Sequence, residues 1–372
     1  MNFDLVAHTI LLTKAGSRAY GMHTASSDLD VKGVAIPPKQ YYLGCMHAFE
    51  QADGKENIAL FKHLLPENEV KNGLEGTVYE LKKSLALLAD GNPNQNDVLF
   101  CRDEDVIVCT KLGKLLRENR RIFISTRSRW SYAGYSRSQL KRIQLHRKYF
   151  TNPLGHEPDR AEFDLPDPIP KHKYDAAMDA IQKKLDSWEM DLSAVPSADR
   201  IDIQGQFASK LAEIQLTADQ KWVCAGRAIG YNDDLLSRLE AERRFQRAQV
   251  EWKQYLNWKK NRNPERAALE EKFGVDLKHA THLIRLMKMC KEILETGQIN
   301  VWRGGIDVEE LQAIRAGALT YEQIVEYADK IEDECDALYK AGKCAVPKKP
   351  DVAAIDRLCV SMLETALSEG LV

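Results

Sequence analysis

The residues best equipped for chemistry stand between positions 14 and 31. Lys14-Ala15-Gly16-Ser17-Arg18-Ala19-Tyr20-Gly21 leads through a short polar stretch to Ser26-Ser27-Asp28-Leu29-Asp30-Val31. A Gly-Ser pair between a strand and a short helix lets the backbone approach phosphate oxygens, while N–H groups at the helix start and the Ser17 hydroxyl donate to them. That arrangement would cradle a triphosphate. Asp28 and Asp30 lie two apart at the start of an apolar run, so on a strand both carboxylates project from one face. Carboxylates placed side by side repel unless a cation lies between them. The apolar run from Val31 to Ile36 would hold the pair on a sheet rather than on a loop. Gly-Ser alone is common in turns and Asp-x-Asp alone in solvated loops. The specificity lies in finding both, with ten residues between Ser17 and Asp28.

The elements that must position these residues can be read from periodicity. The first hundred residues carry strand-like runs, His8 to Leu12 and Val31 to Ile36, punctuated by Gly and Pro. Leu74 to Leu81 reads as a short strand running into a helix with Leu81, Leu85 and Leu88 on one face, stopped by Gly91-Asn92-Pro93. From about residue 111 onward amphipathic helical stretches dominate: Asp175 to Trp188, Ile203 to Leu216, Leu235 to Lys260, Leu277 to Thr296, Tyr321 to Tyr339 and Ala353 to Ala366. The expected division is a catalytic domain over 1–110 and a helical substrate-binding domain over 111–372. A loop or insertion is expected near 151–175, where Pro, Asp and His gather. A net charge of −2 with 29% charged residues gives no whole-molecule argument for or against nucleic acid. The eight cysteines contain no Cys-x-x-Cys pair and follow no secretory leader, so reduced cytoplasmic thiols are expected. Every apolar run is interrupted by charge before the roughly 20 residues a bilayer requires, so no membrane association is expected.

Gly-Ser, about ten residues, then Asp-x-Asp resembles the signature of the DNA polymerase β superfamily of nucleotidyltransferases, with Gly16, Ser17, Asp28 and Asp30 at its positions. Three further blocks, in order, are similar to the predicted nucleotidyltransferase family associated with RNA repair. They are Tyr79-Glu80-Leu81-Lys82-Lys83 to Gly91-Asn92-Pro93-Asn94, Tyr132 to Gln139 and Asp276 to Leu286. The resemblance implies an α+β chain, with a small nucleotidyltransferase domain built on a mixed sheet with flanking helices, followed by a mainly α-helical domain. It implies two Mg²⁺ (or Mn²⁺) ions and a nucleoside triphosphate such as ATP as donor. The implied acceptor is an RNA end, with DNA, a protein hydroxyl or a small molecule as alternatives. It further implies a third carboxylate on a neighbouring strand. Glu75 is the choice for catalysis and metal binding with Asp28 and Asp30, and Glu69 and Glu80 are the alternatives. Arg18 joins Gly16 and Ser17 at the phosphates. A transferase domain that has lost catalysis and persists as a binding module is the non-enzymatic alternative.

Several supporting constellations carry two readings each. Lys278, His282 and Arg285 share one helix face opposite Ala280, Leu283, Ile284 and Leu286. Such a stripe either neutralises triphosphate charge or makes ordinary helix–helix hydrogen bonds. His279 and His282 stand three apart, but no third ligand has suitable spacing, so zinc is not expected. From Lys111 to Lys148 there are 12 Lys and Arg against one Glu, interleaved with Trp130, Tyr132 and Tyr135 and followed by Tyr149. This is either a nucleic-acid platform or a solvated face neutralised by acidic helices such as Val308 to Asp336. Phe245, Trp252, Tyr255 and Trp258 read as helix core more readily than as a base-stacking surface.

Overall fold

The computed structural model describes residues 3–165, 168–187, 218–261, 270 and 272–370. The chain divides into two compact units, one of residues 1–151 with 264–372 and one of residues 152–263.

The first unit begins with a five-stranded sheet in the order β3-β4-β2-β1-β5: β1 Thr9–Ala15, β2 Leu29–Ala35, β3 Gln51–Asp53, β4 Leu74–Glu80 and β5 Val106–Cys109. β1 and β2 overlap the expected strands His8 to Leu12 and Val31 to Ile36, starting one residue later in the first and ending one residue earlier in the second. β1 runs antiparallel to β2 and β5, β4 runs antiparallel to β3, and β2 and β4 are parallel. A parallel pair requires a crossover, and residues 36–73 provide it through short helical turns at Gln40–Leu43, Lys55–Ala59 and Glu67–Val70. Both sheet faces are covered, which is why β1 reads apolar at consecutive positions rather than alternating. Leu11, Val34 and Ile36 enter one core, whereas Leu12, Leu29, Val31 and Val78 enter another with Leu5, Ile58 and Phe61.

Between β1 and β2 lies a single helical turn, α1 (Gly16–Ala19). After β4 come α2 (Leu81–Ala89) and α3 (Pro93–Phe100). Leu81, Leu85 and Leu88 are all buried, as their spacing requires. Glu80 caps α2 by accepting from the Lys83 N–H at 2.8 Å. Asn92-Pro93 does more than stop α2: Asn92 accepts from the Asn94 N–H at 2.9 Å and Pro93 opens α3, the position at which proline costs no hydrogen bond. α4 (Lys111–Glu118) follows β5.

The remainder of this unit is helical: α5 (Arg127–Thr151), α6 (Leu277–Thr296), α7 (Val308–Arg315), α8 (Tyr321–Lys340) and α9 (Val352–Ser368). The mixed sheet with flanking helices followed by a mostly helical region is therefore the α+β arrangement that the resemblance implied. α6 is the spine, burying 12 residues among α5, α7 and α8, and Ala19, Tyr20 and Met22 join the same core. Cys290 of α6 and Cys335 of α8 are buried there with their thiols hydrogen-bonded, which raises the pKa of Cys290 and lowers that of Cys335. Cys101 is buried at the end of α3, and Cys45, Cys109 and Cys224 are exposed.

The second unit contains helices Lys171–Asp186, Ala218–Ala228 and Asp233–Asn261 around Tyr174, Ile181, Trp222, Leu236 and Leu239. The expected helix Ile203 to Leu216 lies outside the described residues. The loop expected near 151–175 gives way to helix from Lys171 onward, and its described part includes the short turn Arg160–Phe163, whose Arg160 forks onto the buried Glu242 at 2.9 and 3.1 Å. Phe245 and Tyr255 are buried, and the Trp252, Tyr255 and Trp258 rings follow one another at 5.7 and 5.8 Å. Among the described residues no helix is long and apolar enough to cross a membrane.

Candidate active site

Three carboxylates converge at one end of β2. Asp30 stands opposite Glu75 in the parallel β2–β4 register, and Asp28 immediately precedes β2. A ligand oxygen from each of Asp28, Asp30 and Glu75 lies within 4.8 Å of the other two. Gly76 makes the register possible, because a Cβ there would lie 2.0 Å from the Val31 carbonyl oxygen and force the strands apart. The loop before Asp28 is tied by the Asn72 amide, which donates to the Ala25 carbonyl at 2.7 Å.

Gly16 is the counterpart on the other side of the cluster. Its φ of +60° belongs to the left-handed region, and a Cβ there would lie 2.0 Å from Asp30 Oδ2. The Asp30 carboxylate occupies the space that any side chain at position 16 would claim. Burial raises the Asp30 pKa and the neighbouring charges of Asp28 and Glu75 add to that, against the lowering influence of Lys278 and Lys32. Three carboxylates this close, one of them inward-facing, form the donor set that hard divalent cations prefer.

Beside the carboxylates lies a polar wall contributed by α3, α6 and β2. Lys32 Nζ donates to Asn94 Oδ1 at 2.7 Å, and its pKa is lowered by burial and by Arg285 against the attraction of Asp97 and Asp30. Tyr20 donates a short hydrogen bond to the buried Asp97. The Arg285 guanidinium covers the Tyr20 ring at 3.6 Å, with Nη2 3.4 Å from His282 Nδ1. His282 is pushed down to about 2 by burial first, then by Arg285, His279, Lys32 and Lys278. The structure therefore gathers Lys278, His282 and Arg285 toward the Asp30 and Lys32 side of the cluster.

The other candidates lie elsewhere. Arg18 donates to the Glu69 carbonyl at 3.4 Å, and Glu69 itself pairs with Lys14 at 2.7 Å. Glu80 is engaged by Tyr42, whose hydroxyl donates to it at 2.8 Å, and by the α2 cap. Neither alternative acid joins Asp28 and Asp30, whereas Glu75 does. Glu75 is half exposed, 3.7 Å from the exposed Lys55.

Residues 5–152 match the model of a family described as the RNA repair pathway DNA polymerase beta family. A 133-residue stretch is also 29% identical to an uncharacterized 38.9 kDa protein from the nrdC-mobD intergenic region of Enterobacteria phage T4, covering 35% of this chain and 37% of that protein. No solved structure matches the chain. The matched segment contains Gly16, Ser17, Asp28, Asp30 and Glu75, whereas Lys278, His282 and Arg285 come from outside it.

Within the matched segment, the sequence reading passed over Lys32, Asn94, Asp97 and Tyr20 as site residues. Lys32 left a signal: it interrupts an apolar strand in phase with Asp28 and Asp30, so it shares their face. Asn94 and Asp97 left none, since the burial of the polar helix α3 along most of its length is visible only once the chain is packed. Tyr20 left none. The basic stretch from Lys111 to Lys148 meets the acidic helix α8: Arg129 pairs with Asp336, Arg137 with Glu332 and Arg147 with Glu322. Of its aromatics, Tyr132 and Tyr149 are buried and Trp130 is exposed.

Proposed function

We propose that the protein is a metal-dependent nucleotidyltransferase that moves a nucleoside monophosphate from an NTP to the hydroxyl of an RNA end and releases pyrophosphate. The observation that carries this reading is the convergence of Asp28, Asp30 and Glu75, with Gly16 against the Asp30 carboxylate, within the segment that matches the family model. Two Mg²⁺ or Mn²⁺ ions held by these carboxylates would supply Lewis acidity, lowering the pKa of the acceptor hydroxyl and offsetting triphosphate charge. The protein's own residues position the reactants. Gly16, lacking a side chain, leaves room for the Asp30 carboxylate, and the Ser17 hydroxyl and the N–H groups at the start of α1 donate to phosphate oxygens. Lys278 and Arg285 contribute positive charge as pyrophosphate departs. Glu75 takes the acceptor proton, the acceptor oxygen bonds to the α-phosphorus, and the bond to the β-phosphate oxygen breaks. In this reading residues 1–110 form the catalytic domain and the helices of 111–372 hold the acceptor, in a cytoplasmic protein. RNA as acceptor is supported by the family's description.

A second reading keeps the chemistry and changes the acceptor to a protein or small-molecule hydroxyl. It is favoured by the engagement of Arg129, Arg137 and Arg147 with α8, which leaves the basic segment less charge for an RNA backbone. The test is incubation with Mg²⁺ and each α-phosphate-labelled ribonucleotide, with and without short RNA, DNA and unlabelled protein. Label on RNA that is lost by about a thousandfold or more in Asp28→Asn and Asp30→Asn supports the first reading. Label on protein supports the second, and no label anywhere would leave a binding module without catalysis. Wild-type turnover in either variant with an intact fold would sink the site assignment.

A further inference from the structure

A second cluster of metal-ligating side chains lies in the first unit and shares no residue with the three-carboxylate site. His146 on α5, Asp276 at the N-cap of α6 and His279 in its first turn each offer a ligand atom within 4.8 Å of the other two. The two histidines are 133 residues apart, which is why no spacing argument joined them; the structure pairs His279 with His146 rather than with His282. His146 Nδ1 stands 3.3 Å and His279 Nε2 3.6 Å from the same Asp276 oxygen, Oδ2. Nitrogen and oxygen ligands held about 2.0–2.1 Å from a tetrahedral zinc ion stand roughly 3.3 Å from one another, so these spacings match those around one ion. The buried Glu270 stands beside this group, with Oε1 3.9 Å from His146 Nδ1.

The surroundings hold these atoms in ligand orientation. Asp276 divides its oxygens: Oδ1 accepts from the His279 N–H at 3.1 Å as the helix cap, and Oδ2 turns to the histidines. His279 Nδ1 stands 2.7 Å from Gln139 Oε1, which holds the ring with Nε2 facing Asp276, the orientation in which Nε2 would bind a metal. Buried carboxylates that converge on imidazoles are stable when paired or when they coordinate a metal. Two histidines with one or two carboxylates suit zinc, whereas the all-oxygen set of Asp28, Asp30 and Glu75 suits magnesium or manganese.

We propose that His146, Asp276 and His279 form a zinc site that pins the start of α6 to α5. The ion is structural: it fixes the helix turn from which Lys278 extends, and the nucleotidyl transfer proposed above does not depend on it chemically.

The test uses full-length protein carrying Asp28→Asn and Asp30→Asn, which removes the other candidate site, stripped of metal and titrated with Zn²⁺ and Co²⁺. One tight equivalent is expected, with the intense visible bands of four-coordinate Co²⁺ and two imidazoles in the zinc-edge X-ray absorption spectrum. His146→Ala should weaken zinc binding by at least about a hundredfold, and Gln139→Leu by about tenfold or more. Should His146→Ala fail to fold, the absorption spectrum of the parent protein decides alone. Absence of a tight equivalent, a spectrum without imidazole, or unchanged affinity in a folded His146→Ala would overturn the site.

Discussion

At the residue scale, Gly16 is the most constrained position near the candidate site. An alanine there would adopt a left-handed conformation costing roughly 1–2 kcal/mol and would displace the Asp30 carboxylate. Gly16→Ala should therefore lower stability modestly and transfer activity by about a hundredfold, since a displacement of about 1 Å at reacting groups has that effect. Urea denaturation and the labelling assay read the two separately, and wild-type turnover would remove Gly16 from the site. His282 makes a pH prediction. Its folded pKa of about 2 lies below the unfolded value near 6.5, so it has no effect on stability above that pH. Below it, the unfolded chain takes up a proton that the fold refuses. Stability then falls by up to about 1.4 kcal/mol per pH unit. His282→Asn should flatten this acid limb between about pH 6 and 4 in urea titrations, and an unchanged slope would count against a neutral buried His282. Gly16, Ser17, Asp28 and Asp30 were legible because their relation is local. Glu75 needed strand pairing and a family resemblance, and Asp97 and His146 were unreadable because only helix packing brings them to their partners.

At the element scale, α6 and the segment after it show how ion pairs of similar appearance differ in consequence. Arg303 is fully buried; its guanidinium meets Asp307 at 2.7 and 2.8 Å and Glu292 at 2.9 Å, and its backbone N–H reaches the Tyr20 carbonyl at 3.2 Å. Arg303→Met leaves two inward carboxylates without their guanidinium and should cost about 3–5 kcal/mol. The Arg137–Glu332 pair is solvent-screened at its arginine end, so Arg137→Ala should cost under about 1 kcal/mol. Chemical denaturation compares them directly, and equal losses would contradict the burial argument. Helix periodicity anticipated α6, α8 and α9 closely because their apolar stripes are long. Charge went further: of the two readings of the basic stretch, neutralisation by the acidic stretch Val308 to Asp336 is the one that the pairs of Arg129, Arg137 and Arg147 with α8 follow.

At the scale of the whole molecule, the chain returns to its beginning. Ile355, Leu358, Met362 and Ala366 of α9 pack into the core that holds Leu11, Val34 and Leu85. The sheet carrying the candidate site is thus completed by residues more than 200 positions beyond the matched segment. Met362→Ala should cost about 2–5 kcal/mol of the sheet's stability, as the fully buried side chain leaves a cavity. A loss well under 1 kcal/mol in urea unfolding would show that α9 docks without supporting the sheet. This closure was not legible in the sequence: an amphipathic helix announces that it has a buried face and not where that face goes. The distribution of thiols turns the molecule into its own clock. Cys45, Cys109 and Cys224 should react with an alkylating probe at once. Cys101, beside the sheet, and Cys290 with Cys335, inside the helical core, can react only when their surroundings open. Two slow labelling phases with separate denaturant dependences would mean that sheet and helices come apart independently; one shared phase would mean that they live and die as a single cooperative body.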